Sequence, residues 1–407
     1  MSPRERSILT VTCFGHFISH FNMLVFPAVL LPLAVQLGMD MGPTLALSFW
    51  MYLLFGLTAL PWGLLADRFG SRPLLLLFHL GAGFCGFMAA MNASNPFVFS
   101  LCLAGIGLFS GIYHPVGLGW IAKEIENTSQ GMAYNGMFGN LGLATAPILA
   151  GSVNYFWGIE AVYGVLGAVN MSGLILLYFV RNGHSVKHEK VTAKPQGQGN
   201  LKPFLVLLVA MMLGGVVYRA TTVTLPAYFE LQNQNLYQSF LAVFGQLGSP
   251  NVFATLVTSF IYLVGMAGQY YGGRVGQSVD LGKGYLIFHL ITIPAVLAMA
   301  VTSNTPLIVF AMIHSFFLLG MQPLENTLVA RLSPPQLHSS AFGLKFVLTF
   351  GVGALSVTMV SNIKENFGLS AVYVALALVS VTLVCVIMML NHYRRKVPVQ
   401  IKETSSV

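Results

Sequence analysis

The sequence predicts an all-α membrane protein with twelve transmembrane helices in two pseudo-symmetric six-helix bundles. The prediction depends on an apolar composition, a series of long apolar runs, and a similarity between the two halves of the chain. Of 407 residues, 56% are hydrophobic and 8% are charged, and the mean hydropathy is +0.75. A soluble domain carries about 25% charged residues, so lipid must be the solvent for most of this chain. One spanning helix takes about 20 residues, and the length accommodates about twelve.

The apolar runs, divided at glycine, proline and charged residues, place the individual helices. Six are predicted at 8–37, 44–65, 73–91, 95–122, 131–155 and 160–180, and six more at 201–229, 250–277, 284–302, 304–330, 340–363 and 369–392. A long polar stretch follows the sixth helix and predicts a domain boundary. The predicted units are an N-terminal bundle at 1–183, a cytoplasmic linker at 184–200, a C-terminal bundle at 201–393 and a cytoplasmic tail at 394–407.

The distribution of Lys and Arg predicts the orientation. If both termini and the linker lie inside, the inner segments hold 17 of the 20 Lys and Arg residues, and the opposite side keeps only Lys364. Cytoplasmic loops of membrane proteins carry this excess of positive charge. We therefore predict a multi-pass protein of the plasma (inner) membrane with both termini in the cytoplasm.

Similarly spaced residues in the two halves predict an internal repeat, as in transporters built from duplicated bundles. The matching positions are His20 and Pro27 against Arg219 and Pro226 in helices 1 and 7, and His114, Pro115 and Lys123 against Gln322, Pro323 and Arg331 in helices 4 and 10.

The sequence gives no sign of catalysis, of a cofactor or of nucleic-acid binding. It contains no HExxH, GxSxG or P-loop pattern, and the four cysteines lie scattered in apolar runs. The net charge of +8 is what basic loops beside membrane spans produce. We therefore predict no enzyme, no cofactor and no nucleic-acid partner, and a monomer in the lipid bilayer.

A motif between the second and third helices predicts a conformational gate. The run Gly63-Leu64-Leu65-Ala66-Asp67-Arg68-Phe69-Gly70-Ser71-Arg72-Pro73 resembles the signature of the major facilitator superfamily in this loop. Its glycines permit a tight turn, and its charges can bind helix ends or acidic partners. The resemblance implies the major facilitator fold and a transporter that works by alternating access. The predicted gate residues are Gly63, Asp67, Arg68, Gly70 and Arg72.

Within that superfamily the chain resembles the fosmidomycin-resistance-like branch. The residues that carry the resemblance are Gly15-His16-Phe17, Pro27, Pro32, Tyr113-His114-Pro115, Gly139-Asn140-Leu141-Gly142, Pro147, Arg219 and Leu225-Pro226. The resemblance implies proton-driven export of drugs or anionic metabolites. The sequence departs from the branch at His20, where an acidic residue is common.

Three charged residues lie deep within predicted spans: Glu325, Arg219 and Lys345. Each charge is costly there and should face a polar cavity or an opposite charge. Glu325 could form a structural ion pair with Lys345 or Arg219, or serve in proton coupling. One carboxylate cannot neutralise two cations, so an anionic substrate is the simplest partner for the remaining charge.

Histidines and amides in the spans complete the candidate substrate-binding set. Besides Arg219 and Lys345, it contains His16, His20, His114, Tyr113, Asn135 and Gln322. His20 is also a second candidate for proton coupling, because histidine titrates near neutral pH. Each of these side chains could instead make an ordinary interhelical hydrogen bond.

The sequence thus predicts a secondary active transporter, proton-coupled, that exports a small organic anion or drug. His16 and His20 are four residues apart, the spacing of many two-histidine metal sites. The alternative is therefore a carrier of a transition metal ion or metal chelate.

Overall fold

A computed structural model of the protein describes residues 1–179, 201–245, 248–333 and 338–395, and these are helical without a strand. The helices of the first half are α1 (Pro3–Ala28), α2 (Leu30–Leu37), α3 (Met41–Ala46), α4 (Phe49–Leu57), α5 (Ala59–Phe69), α6 (Ser71–Met91), α7 (Pro96–Ser110), α8 (Tyr113–Glu124) and α9 (Thr128–Phe179). Those of the second half are α10 (Leu201–Gln232), α11 (Gln234–Phe244), α12 (Pro250–Ser278), α13 (Leu281–Val301), α14 (Asn304–Gly320), α15 (Gln322–Leu332), α16 (His338–Phe346), α17 (Leu355–Phe367) and α18 (Leu369–Arg395).

Ten continuous stretches of the described chain are long and apolar enough to cross a membrane. One of them, Gln130–Phe179, lies within α9, in which Gly158 has φ 81°. Phe17 packs against Gly142 in the first arm of α9, and Asn22 bonds to Asn170 in the second. The arms therefore run in opposite directions and form two segments. The stretch Met41–Phe69 consists of three short helices, α3 to α5, which together form one more segment and bring the number of segments to twelve. The predicted twelve-helix fold is confirmed.

The segments are numbered here in chain order: segments 1 and 2 are α1–α2 and α3–α5, 3 is α6, 4 is α7–α8, 5 and 6 are the arms of α9, 7 is α10, 8 is α12, 9 is α13, 10 is α14–α15, 11 is α16–α17 and 12 is α18.

The repeat predicted from sequence is visible in how segments 4 and 10 break. Segment 4 changes helix just before Tyr113, and segment 10 does so just before Gln322. In both, a proline follows within the first turns of the new helix, where its missing N–H leaves no hydrogen bond unmade. The corresponding interruption therefore has the same cause in both halves.

The apolar core divides into three clusters. The largest, the shared cluster, joins both halves at the end of the bundle away from the termini; it includes Tyr52 and Tyr163 from the first half and Tyr228 and Tyr373 from the second. At the end that carries the termini, the first half has its own cluster around Phe78. The second half has another around Tyr285. The two bundles are thus held together at one end and packed separately at the other.

The structure differs from the predicted helix boundaries in two regions. Helix α11 lies between segments 7 and 8, where no helix is predicted. The helix of segment 12 continues to Arg395, so the first two residues of the predicted tail are helical. The predicted linker at 184–200 and the rest of the tail lie outside the described residues.

Candidate functional site

Three histidines from segments 1 and 4 come together, and we call them the histidine cluster: His16, His20 and His114. One ring nitrogen from each lies within 4.8 Å of the others. His16 and His20 approach through their Nε2 atoms at 3.1 Å. His16 and His114 are buried, and His20 is partly exposed. The sequence places His16 and His20 on one helix face; the fold adds His114.

Segment 5 fixes the orientation of His16. A Cβ at Gly139 would overlap the His16 ring, so the absence of a side chain lets segment 5 approach this closely. That approach brings the Asn135 carbonyl to 2.8 Å from His16 Nδ1. A carbonyl only accepts, so His16 Nδ1 donates and its Nε2 presents a lone pair.

Tyr113 and Asn135 form hydrogen bonds and a ring contact beside the histidine cluster. The Tyr113 hydroxyl donates to the Thr12 carbonyl at 2.6 Å, and Asn135 Nδ2 donates to that hydroxyl at 2.6 Å. The Tyr113 ring stacks on His16, with 5.1 Å between centroids. Both side chains therefore position segment 1 against segments 4 and 5.

Arg219 lies in the middle of segment 7 and is 2% exposed. Its guanidinium carbon lies 3.9 Å from the centroid of the Tyr52 ring, which belongs to the other half. Among the described residues no carboxylate lies within ion-pair distance of Arg219, and its Nε has no hydrogen-bond partner there. Arg219 also lies near enough to His20 for their charges to interact. The two repeat-related positions thus face one interior region.

Glu325 and Lys345 form a buried ion pair. Lys345 Nζ lies 2.7 Å from Glu325 Oε1, and the side chains are 8% and 4% exposed. Tyr285 donates to Glu325 Oε2 at 2.9 Å, and Lys345 also donates to Asn326. Of the two partners that the sequence allowed for Glu325, the structure brings it to Lys345.

The helix break in segment 10 places the charge of Glu325 favourably. Glu325 lies in the first turn of α15, and Lys345 lies in the last turn of α16. A carboxylate near a helix N-terminus is stabilised by the helix dipole. The interruption of segment 10 therefore helps to keep Glu325 in the bilayer, whereas α16 continues directly into a π-helical turn after Lys345.

Segment 11 contributes residues that the sequence did not single out. Directly after α16, residues Val347–Gly351 form a π-helical turn. The rings of Phe346 and Phe350 lie 5.0 and 5.7 Å from the His114 ring, and thus cover the histidine cluster from the second half. A π turn inside a helix frequently marks a functional site.

Gln322 belongs to a chain of amides between the halves. Gln269 Nε2 donates to Gln322 Oε1 at 3.1 Å, and Asn140 of segment 5 donates to Gln269. The chain thus connects segments 5, 8 and 10 through side chains that can exchange partners.

The loop motif makes contacts within the first half. Asp67 accepts from Lys123 of segment 4 at 2.7 Å, and Arg72 Nη2 donates to the Leu177 carbonyl at 3.2 Å, near the end of segment 6. Arg68 is near the ring of Phe69. Gly70 has φ 86°, which explains glycine at the turn. Gly63 faces Pro115 in a close approach of segments 2 and 4.

Twelve segments in two bundles, with charged and polar side chains between them, define a polytopic membrane protein. The family model of the Major Facilitator Superfamily matches residues 12–344. The chain therefore belongs to the Major Facilitator Superfamily.

Curated relatives are similar over most of their length. The multidrug resistance protein MdtG of Klebsiella pneumoniae is 25% identical over an alignment of 389 residues that covers 91% of this chain and 90% of the relative. The multi-drug resistance efflux pump PmrA of Streptococcus pneumoniae is 20% identical over an alignment of 387 residues that covers 91% of this chain and 92% of the relative. Neither name mentions a metal. The resemblance to the fosmidomycin-resistance-like branch stays a prediction.

Solved transporters have the same fold. A POT family transporter in complex with a thioalcohol-conjugated peptide superposes with a TM-score of 0.75 at 15% identity, covering 94% of this chain and 96% of that chain. A bacterial homolog of the human lysosomal transporter Spinster, inward-facing and occupied, superposes with a TM-score of 0.70 at 14% identity, covering 97% and 98%. At this identity the similarity extends to the fold alone.

Proposed function

We propose that the protein is a proton-coupled exporter of a small organic anion or anionic drug across the plasma (inner) membrane, working by alternating access. The observation that carries the proposal is Arg219, a buried guanidinium for which the described residues provide no carboxylate. A buried charge without a partner costs several kcal/mol of folding free energy. A substrate anion bound here would offset that cost.

The surroundings of Arg219 fit an anion with an apolar body. The guanidinium is planar and can bind a carboxylate or phosphonate through two parallel hydrogen bonds. Tyr52, Tyr218 and Phe350 all have rings within 6.0 Å of its Cζ. An aromatic wall with one fixed charge is typical of a pocket that binds amphipathic molecules.

The pair Glu325–Lys345 is the proposed point of proton coupling. Protonation of Glu325 would remove the negative member of the pair and leave a buried ammonium, which favours a rearrangement of segments 10 and 11. Lys345 lies within electrostatic range of His114, whose cluster contains His20, the second candidate proton carrier. Through this proximity the charge state of one half can affect the other.

The packing of the two bundles supports a cytoplasm-facing state. With the termini in the cytoplasm, as the positive charges predict, the shared cluster lies toward the outer surface and the separate clusters lie toward the cytoplasm. Substrate would then enter from inside. The names of the relatives, both of multidrug resistance, favour the outward direction of transport.

The proposal is tested with everted membrane vesicles from a host that lacks its main exporters. The vesicles are offered phosphonates, aromatic carboxylates and, for comparison, lipophilic cations. We expect proton-gradient-dependent uptake of at least one anion, with Arg219→Lys weakening its binding about 10- to 100-fold, because one of two charge-assisted hydrogen bonds, about 1.5–3 kcal/mol, is lost. Arg331→Lys, at an exposed position in segment 10, is the matched control and should leave uptake unchanged. Uptake restricted to cations, or equal effects of both variants, would contradict the proposal.

A further inference from the structure

We propose that His16, His20 and His114 form a binding site for a divalent first-row transition-metal ion, with an exchangeable anion in the remaining coordination position. Imidazole nitrogens suit zinc, nickel and cobalt ions. The inference goes beyond the proposed anion transport and does not depend on it.

The spacing of the three imidazoles fits one ion. In a tetrahedral zinc site each Zn–N distance is about 2.0–2.1 Å, which places the nitrogens about 3.4 Å apart. His16 Nε2 and His20 Nε2 are already 3.1 Å apart, and a nitrogen of His114 lies within 4.8 Å of both. Small rotations of the rings are therefore enough to bring three nitrogens to bonding distance.

The hydrogen bonds around the cluster prepare His16 as a ligand. Its Nδ1–H donates to the Asn135 carbonyl at 2.8 Å, which fixes the tautomer with a free lone pair on Nε2. Metal-bound histidines characteristically make this kind of hydrogen bond with their second nitrogen. Without metal, His20 Nε2 must donate to His16 Nε2; when the ion binds, that proton moves to His20 Nδ1 and the ring stays neutral.

A purely structural network would satisfy its buried polar atoms. In this cluster His114 Nδ1 is buried and has no hydrogen-bond partner in the described structure. A bound ion with its own ligands would supply one.

The charges near the cluster determine what else must bind. Arg219 lies within electrostatic range of His20, and Lys345 within electrostatic range of His114. A divalent ion held by neutral imidazoles alone would face these cations. An anion in its fourth position would reduce that repulsion, so we expect the site to take the ion together with chloride, hydroxide or a carboxylate.

The test uses the full-length, tag-free protein in detergent, titrated with Co²⁺ alone and followed by visible absorption, then with Zn²⁺ as competitor. We expect one ion per protein, displaced by Zn²⁺ and not by Mg²⁺. His20→Gln and His114→Gln should each weaken Co²⁺ binding at least about 10-fold, as loss of a ligand implies. His314→Gln is the matched control, because this buried histidine bonds Thr221 in the other half. The double change His184→Gln and His188→Gln removes the other close pair in the sequence and should also leave binding intact.

X-ray absorption of the zinc-loaded wild-type protein provides a second measurement that needs no variant. Three imidazole nitrogens at about 2.0 Å support the site. A zinc environment dominated by oxygen or sulfur, binding that survives both cluster substitutions, or no saturable binding of Co²⁺ would overturn the proposal.

Discussion

Removing the charge of Glu325 should destabilise the protein far more than removing the charge of a comparable exposed ion pair. In Glu325→Gln, the ammonium of Lys345 loses a carboxylate at 2.7 Å while its side chain stays 8% exposed. Breaking a buried pair in this way costs about 3–5 kcal/mol, because the remaining charge stays desolvated. The matched control is Asp67→Asn. Its partner Lys123 lies at the same 2.7 Å, but the side chains are 68% and 59% exposed, and pairs of this kind contribute about 0–1 kcal/mol.

The assay is unfolding in detergent, measured for wild type, Glu325→Gln, Lys345→Met and the double variant. Each single change should lower the free energy of unfolding by several kcal/mol, whereas the double variant should recover most of the loss, since no unpaired charge remains. In transport, Glu325→Gln should abolish accumulation along a proton gradient and preserve counterflow exchange, which needs no net proton movement. If Glu325→Gln is as stable as Asp67→Asn, or if the two single losses simply add, the pair is not the buried, coupled unit described here.

The remaining predictions concern the gate, the packing of segment 5 and the orientation. Asp67→Asn should strongly reduce transport while substrate affinity stays within a few fold; a loss of binding with unchanged cytoplasmic accessibility would count against a gating role. Gly139→Ala should push the His16 ring out of place and weaken Co²⁺ binding without touching a ligand; normal binding would show that this close contact is not needed. In a cysteine-free background, a cysteine at Asn127 should react with an impermeant maleimide only after cells are opened, and one at Asn366 in intact cells; the reverse pattern would refute the topology.

Hydropathy was sufficient to predict the twelve segments because lipid imposes a length and a composition on every span. It could not predict where the spans break. Val29 ends α1 two residues after Pro27, but Pro226 lies inside a continuous helix. Whether a proline interrupts a helix depends on the neighbouring segments, which can supply the missing contacts.

The sequence proposes the members of the candidate site and does not predict how they are arranged. The free-energy cost of placing a charge in the bilayer identifies Arg219, Glu325 and Lys345, each independently of the others. Which of them pair depends on packing between helices that are distant in sequence. The proximity of His114 to His16 likewise depends on packing between helices that are distant in sequence. Gly139 is the one sequence feature that could have suggested a close approach at His16, because its missing side chain leaves room for the His16 ring.

Helix α11 and the π turn in segment 11 were missed for different reasons. Residues Gln234–Phe244 are too few and too mixed in polarity to register as a span. The π turn has no distinctive residue pattern, and its Gly351 lies in close contact with Gly56 of the other half. Such close backbone approaches have no periodicity that a single sequence reveals.

The most direct test of the central claim is accumulation of an anion by the purified protein in proteoliposomes under an imposed proton gradient. The anion is the one selected in the vesicle screen, and wild type is compared with Arg219→Lys and Arg331→Lys. The account predicts that wild type and Arg331→Lys concentrate the anion only while the gradient lasts, and that Arg219→Lys requires a substrate concentration at least about 10-fold higher to reach the same rate. Accumulation that is independent of the proton gradient, or unchanged in Arg219→Lys, would contradict it.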